Sequence, residues 1–321
     1  MMNIDFDINS VTAWAMEEQA LHAMSEKMAR VDVNAVLSSE DFQALILDRE
    51  TRQQEGKAYR VTDGTAFIEI DGPLMKRASG FMSFLYGASS MERIGRAIEA
   101  ALDDSDVERV CLLIDSPGGT VDGTAALARL VFEARGRKPI LSFCHGEIMS
   151  AAIWIGTAAD AVVLDNETVI SGSIGVRGPT HFDMTGMAKK DGVKVEEFYK
   201  GKFKSVGSRW TPMTNEGRAH IQGVIDPINA AFVGDVAKHR GVSEKMVLSK
   251  MADARLFNGS QGIAVGLVDA VMPLSQALEQ FKAGKSFKST TQAKGVQTMD
   301  LEAKITELET KLETKATEIP T

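Results

Sequence analysis

Between Val107 and Leu164 the chain alternates short continuous apolar runs with stretches of helical length, and this alternation narrows the available folds more than any other feature. Val107 to Asp115 reads as a buried strand, Gly123 to Arg135 as a helix, Ile140 to His145-Gly146 as a second buried strand, the segment opening at Ser150 as a second helix, and Ala161 to Leu164 as a third strand. Strand-helix units in succession predict a largely parallel sheet with right-handed crossovers, an α/β fold. Ligands of such sheets bind beyond the carboxyl ends of the strands. Two stretches therefore become candidates for chemistry: Asp115-Ser116-Pro117-Gly118-Gly119, and the passage from His145 to Ser150.

Ser150 falls in the first turn of its helix, where free backbone N–H groups favour negative charge. Serine is also among the commonest N-caps, so taken alone it reads first as a structural cap. Gly118 and Gly119 permit positive φ and a close backbone approach to a ligand, with N–H groups free to bind an anion. A tight turn would explain the same pair.

The rest of the chain is read around this centre. Residues Ser10 to Arg30 place Val11, Trp14, Ala15, Leu21, Met24 and Met28 roughly on one helix face, which predicts an accessory arm over residues 1–60. Ala66 to Ile70 is a strand closed by the Asp71-Gly72-Pro73 turn. Ala78 to Met91 carries Phe81, Met82, Phe84, Leu85 and Tyr86, which either pack on the core or line a groove or subunit contact. Ile94 to Leu102 is a helix, Ser171 to Val176 a glycine-punctuated turn into a short strand, and Val193 to Tyr199 a further strand ending in Lys200-Gly201-Lys202-Phe203-Lys204-Ser205. Asn215 to Arg240 is helical, with Pro227 expected to kink or divide it, and Ser243 caps a short helix to Met251. Phe257 to Asp269 gives a turn, a helix and a last strand. The main domain is thus expected over 61–284, with a linker at 285–298. Leu301, Ile305, Leu308 and Leu312 then form the start of a coiled-coil seam.

Composition limits the functional classes. A net charge of -8 and a pI near 5.3 argue against a nucleic-acid partner, which would require clustered Lys and Arg. Cys111 and Cys144 each sit inside an apolar run, so buried free thiols and a reducing compartment are expected rather than a disulfide or a metal site. The first residues lack the basic segment and apolar core of a signal peptide, and no run approaches the roughly eighteen apolar residues of a membrane span, which predicts a soluble cytoplasmic protein.

Hydrolytic chemistry at Ser150 needs a base. Of the five histidines only His145 lies near it in sequence, and no Gly-x-Ser-x-Gly elbow surrounds the serine. His145-Gly146-Glu147 matches the His-x-Glu of zinc deaminases, but the required Cys-x-x-Cys is missing. No phosphate-binding glycine loop is present either. What remains is a serine nucleophile with a lysine base, whose amine must be made neutral by burial.

Four motifs in order then carry a family resemblance: Asp115-Ser116-Pro117-Gly118-Gly119, Met149-Ser150-Ala151-Ala152, Gly172-Ser173-Ile174-Gly175-Val176 and Tyr199-Lys200-Gly201-Lys202-Phe203-Lys204. Together with Ala254-Arg255-Leu256-Phe257-Asn258-Gly259 and Gly266-Leu267-Val268-Asp269, this order resembles the signal peptide peptidase A (SppA)-like serine peptidases over about Gly64 to Phe281. Within that group it is most similar to the head-maturation (prohead) proteases of lambda-like phages. The resemblance implies a ClpP/crotonase-like fold of repeated ββα units and an endopeptidase with a Ser/Lys dyad that uses no metal or cofactor. Ser150 takes the nucleophile's position and Lys204 the base's, with Lys200 and Lys202 ranked below it. Ser173 matches the serine that hydrogen-bonds the base amine; Gly118, Gly119 and the N–H of Ala151 match the oxyanion hole. Family members commonly carry Ser-Gly-Gly where this chain has Ser150-Ala151-Ala152; alanine keeps the N–H while narrowing the pocket.

The implied partners are protein substrates (scaffold, capsid or portal proteins, and the chain itself) and further copies in a homo-oligomeric ring, with no nucleic acid and no membrane insertion. The implied setting is the host cytoplasm or the prohead interior. In phage relatives a scaffolding segment follows the protease, so Met299 is a candidate internal start. A bacterial SppA-like peptidase that digests signal peptides, and a non-enzymatic assembly protein on the same fold, are the alternatives.

Overall fold

The computed structural model describes residues 58–287 and, ahead of them, residues 14–16, 20, 23, 24, 26, 27, 31, 35 and 38–40. In chain order the elements are β1 (Trp14–Met16), β2 (Arg60–Thr62), β3 (Thr65–Asp71), β4 (Leu74–Met75), α1 (Gly80–Tyr86), β5 (Ser89–Ser90), α2 (Met91–Asp103), β6 (Arg109–Ser116), β7 (Gly118–Thr120), α3 (Thr124–Ala134), β8 (Ile140–Met149) and α4 (Ala151–Gly156). There follow β9 (Ala161–Leu164), β10 (Ile170–Gly172), α5 (Thr185–Lys190), α6 (Asn215–Arg240), α7 (Glu244–Met246, continued by a π turn over Val247–Met251), β11 (Leu256–Phe257), α8 (Gly259–Val265), β12 (Ala270–Val271) and α9 (Leu274–Lys282).

The central sheet is parallel from β3 through β6 to β8. β8 is long enough to pair twice on its far side, with β9 through Leu141 to Cys144 and with β10 through Glu147 to Met149. The antiparallel strands β2 and β11 lie at the ends of the main path, and β12 pairs in parallel on the outer side of β9. This is the largely parallel, helix-flanked sheet of a ClpP-like fold.

Both faces of the sheet are covered, which is why β6 and β8 read as unbroken apolar runs. Ile68, Ile70, Leu112, Ile114 and Ile148 pack into the core shared with α2, α3 and α4, where Ile94, Ile98, Ala101 and Leu102 recur at helical spacing along α2. Phe67, Cys111, Leu141 and Phe143 form the second core with Ala277 of α9. Both cysteines are free and buried, and burial pushes the Cys111 thiol up to about 12 and raises that of Cys144 as well.

A second, small sheet stands at the carboxyl ends of the main strands, in the order β1-β7-β4-β5. It is built from strands of two or three residues, too short to show a period in the sequence.

Three expectations are corrected. Trp14–Met16, placed by periodicity in a helix, is a strand, because its backbone pairs antiparallel with β7. Val193 to Tyr199 forms no strand: among the described residues no strand pairs with it, and Val193, Val195, Phe198 and Tyr199 are exposed. Pro227 does not divide α6, which runs unbroken over 26 residues. Its second half packs on the core through Phe232, Val233, Val236 and Ala237. The residues beyond Phe287, including most of the predicted linker and the whole coiled-coil seam, lie outside the described residues, as does most of the N-terminal arm.

Candidate active site

Ser150 joins the end of β8 to the start of α4 with φ +53° and ψ -117°, a combination that strains any residue with a side chain. Two main-chain bonds hold it there. The Ser150 N–H donates to the Gly172 carbonyl at 2.9 Å, and its own carbonyl accepts from the Trp154 N–H at 3.0 Å. The hydroxyl makes no capping bond, so the capping explanation for this serine is not what the structure contains. The result is a sharp strand-to-helix elbow without flanking glycines. Small neighbours make it fit: Ala151 and Ala152 are fully buried, and a Cβ on Gly156 would come within 2.5 Å of Ile148.

A platform supports α4 from beneath. Trp154 stacks on Phe232 of α6 at 4.3 Å and donates its indole N–H to Asp235 at 2.8 Å. The guanidinium of Arg135 donates to the carbonyls of Thr157 (2.8 Å) and Ala158 (2.6 Å), and also to that of Ala159, placing a cation at the carboxyl end of the helix. His239 lies 3.2 Å from the Thr157 hydroxyl and stacks on Phe132. Burial, together with Arg135, Lys238 and Arg240, lowers its pKa to about 4. Arg240 in turn makes a bidentate pair with Asp269 at 2.7 and 2.8 Å, and Asp269 also accepts the Val162 N–H.

The glycine turn stands beside the elbow. β6 and β8 are parallel neighbours with Ser116 opposite Ile148, so Gly118 and Ser150, each two residues further on, leave adjacent strands at one level. Gly119 is obligatory, since a Cβ there would lie 1.8 Å from the Leu74 carbonyl oxygen of β4. Gly118 has φ +101°, and its N–H turns back to the Ser116 hydroxyl at 3.2 Å. Ser116 is fixed by donating to the Gly72 carbonyl at 2.7 Å.

Ser173 lies on the other side of the elbow. Gly172 is opposite Met149 in the β10–β8 pairing, which makes Ser173 the next residue in register with Ser150. It too has positive φ, +56°, and its N–H is held by the Arg255 carbonyl at 2.8 Å. The support comes from a turn in which Asp253 and Ala254 adopt φ +62° and +52°, and Ala254 N–H returns to the Ile174 carbonyl. This strained support was not anticipated as such; the Ala254-Arg255 motif was its only trace in the sequence.

Lys204 is placed differently. It lies in a turn, its N–H bonded to the Gly201 carbonyl at 3.1 Å, and its side chain is exposed. Among the described residues no hydrogen bond joins its amine to Ser150 or Ser173. Lys202 is tied to Glu216 at 2.5 Å and Lys200 is exposed. All three belong to an arm, residues 177–214, that rests on the first half of α6, where Phe203 stacks on His220. His145 is exposed on β8, and no group of metal-ligating side chains occurs among the described residues. None of the helices described is long and apolar enough to cross a membrane.

Residues 133–288, which include Ser150, Ser173 and Lys204 but not the glycine turn, match the family described as Peptidase family S49. A protein of Methanocaldococcus jannaschii that bears a protease name is 36% identical over 180 residues, 56% of this chain and 57% of its own length. The head-tail preconnector protein GP5 of Enterobacteria phage P21 is 30% identical over 226 residues, 70% of this chain and 44% of that protein. The capsid assembly protease C of Escherichia phage lambda is 25% identical over 225 residues, again 70% of this chain and 50% of its own length. The chain thus spans about half the length of these relatives.

Proposed function

We propose, from the membership of residues 133–288 in peptidase family S49, that this chain is a serine endopeptidase with Ser150 as nucleophile and Lys204 as general base. The observation that carries the reading is the conformation of Ser150. A capping serine has extended backbone and bonds a helix N–H. Ser150 has positive φ and no such bond, and strain of this kind is retained where it aims a reacting group.

Neutral Lys204 takes the Ser150 proton as Oγ attacks a peptide carbonyl. The oxyanion is received by the N–H of Ala151 and by the Gly118-Gly119 turn. The ammonium of Lys204 then protonates the leaving amine, and water, deprotonated by the same lysine, hydrolyses the acyl-enzyme. Ser173 positions the amine as a hydrogen-bond partner.

Because Lys204 is exposed in the single chain, the dyad closes between copies. Phe182, Met187, Phe198 (91% exposed) and Tyr199 give its arm an apolar face that a second copy would cover. Burial there would favour the neutral amine. The same assembly is the proposed homo-oligomeric ring. The names of the phage relatives, a head-tail preconnector protein and a capsid assembly protease, support a role in capsid assembly; cleavage of scaffold, capsid or portal proteins inside the prohead, and a scaffold segment starting at Met299, are the further content of the proposal.

The test is proteolysis of an unfolded protein substrate. The native chain should yield fragments, while Ser150→Ala and Lys204→Ala should each lose about a thousand-fold or more in rate. Cleavage by Ser150→Ala at the native rate would overturn the reading.

A further inference from the structure

We infer that Trp14–Met16 lies in the peptide-binding cleft as a pseudo-substrate built into the chain, with Met16 filling the pocket that selects the residue on the amino side of the scissile bond. The inference rests on the serine peptidase reading above and deepens it.

The first observation is register. β1 pairs antiparallel with β7, with Trp14 opposite Thr120, Ala15 opposite Gly119 and Met16 opposite Gly118. β7 leaves the level of the Ser150 elbow at Gly118 and runs away from it, so β1 runs toward it. Met16 is the last paired residue, opposite the glycine that stands at the level of Ser150. An acyl donor bound as an added strand would have this polarity, its carbonyl reaching the serine as the pairing ends.

The second observation is what β1 covers. β7 is flanked by β4 on one side and β1 on the other, so among the described residues β1 alone occupies its second edge. Without it, the backbone groups of Gly118 to Thr120 on that side would be open to any extended peptide. The two glycines carry no side chain that would obstruct such a strand.

The third observation is the pocket. Met16 is buried in a cluster with Met75, Met82 and Ala88 of the main domain and Met24 of its own segment, bordered by Phe81 and Tyr86. α1, whose apolar residues were expected either to pack on the core or to line a groove, is here the wall of that pocket. Methionines make it adaptable, suited to an unbranched apolar side chain. The N-terminal segment is further tied to α1 by the Lys27 amine donating to the Leu85 carbonyl and by the Tyr86 hydroxyl donating to the Met24 carbonyl at 3.2 Å. A three-residue strand is a weak ladder, and the tether is what keeps it in place. The substrate class follows: extended, unfolded segments with a methionine-like apolar residue opposite Gly118.

The experiment measures binding separately from catalysis. A fluorescein-labelled peptide with the sequence of residues Val11 to Ala20 is titrated, by anisotropy, into the full chain carrying Ser150→Ala, alone and combined with Ala15→Pro or Met16→Glu. Proline removes the N–H of the residue facing Gly119, and glutamate places a charge in the methionine pocket. Both should empty the cleft and lower the Kd for the peptide by about tenfold or more, since the tethered strand no longer competes. The same peptide with Met16→Glu should bind none of the chains. Equal Kd values with and without these substitutions, or no binding to either opened chain, would overturn the inference. With Ser150 intact, Ala15→Pro should raise kcat/KM toward an apolar peptide by a similar factor. Absence of hydrolysis by every variant, with the binding pattern retained, would reject the peptidase reading alone.

Discussion

His239 offers a quantitative test of the platform that holds α4 under Ser150. Its pKa falls from 6.5 to about 4 because the ring is buried and faces Arg135, Lys238 and Arg240. Protonation therefore favours the unfolded chain. Between these two values the unfolded state binds more protons, so stability rises with pH. The contribution is complete above about 6.5 and is lost as pH falls toward 4. In full it amounts to about 3 kcal/mol, of which about 2 kcal/mol disappears between pH 7.5 and pH 5.0. For a domain of this size that corresponds to a drop in Tm of about 4–8 °C. Carboxylates titrate over part of the same range, so the decisive comparison is with His239→Gln, which removes only the histidine. Urea unfolding of both proteins at the two pH values gives the difference directly. The native chain should lose about 2 kcal/mol more than the variant. Parallel pH profiles would refute the buried, neutral His239 and the electrostatic packing described around it.

Gly119→Ala places a Cβ against the Leu74 carbonyl and must displace β7 or β4; hydrolysis should fall by about a hundred-fold or more, with a soluble chain still recovered, as read by kcat/KM and circular dichroism. Asp269→Ala leaves the buried Arg240 guanidinium unpaired and should cost about 3–5 kcal/mol in urea unfolding, whereas a loss below 1 kcal/mol would show the pair to be solvated. Mixing inactive Ser150→Ala with inactive Lys204→Ala should restore activity, because serine and lysine then come from different copies; no recovery across mixing ratios would place both in one chain.

The central strands were legible in the sequence because burial on both faces leaves β6 and β8 unbroken apolar runs, and α2 and α3 because each presents one apolar stripe. The small sheet was not, since β4, β5 and β7 owe their existence to backbone pairing at the strand ends. Trp14–Met16 shares that cause: its spacing suits a helix, and only the partner strand decides otherwise. Val193 to Tyr199 shows the converse, a strand-like composition with no strand to pair with. The position of Ser150 was readable, whereas its strained backbone was not, because the bonds from Gly172 and Trp154 that impose it come from outside the motif. Lys204 was selected by resemblance, and its exposed position explains why local chemistry alone could not distinguish it from Lys200 and Lys202.

The most direct measurement is covalent labelling with a fluorophosphonate, mapped by peptide mass spectrometry on the assembled native chain. The adduct should form on Ser150, be absent from Ser150→Ala and be strongly reduced in Lys204→Ala. An adduct on another serine, or undiminished labelling at Ser150 in Lys204→Ala, would contradict the Ser150/Lys204 dyad.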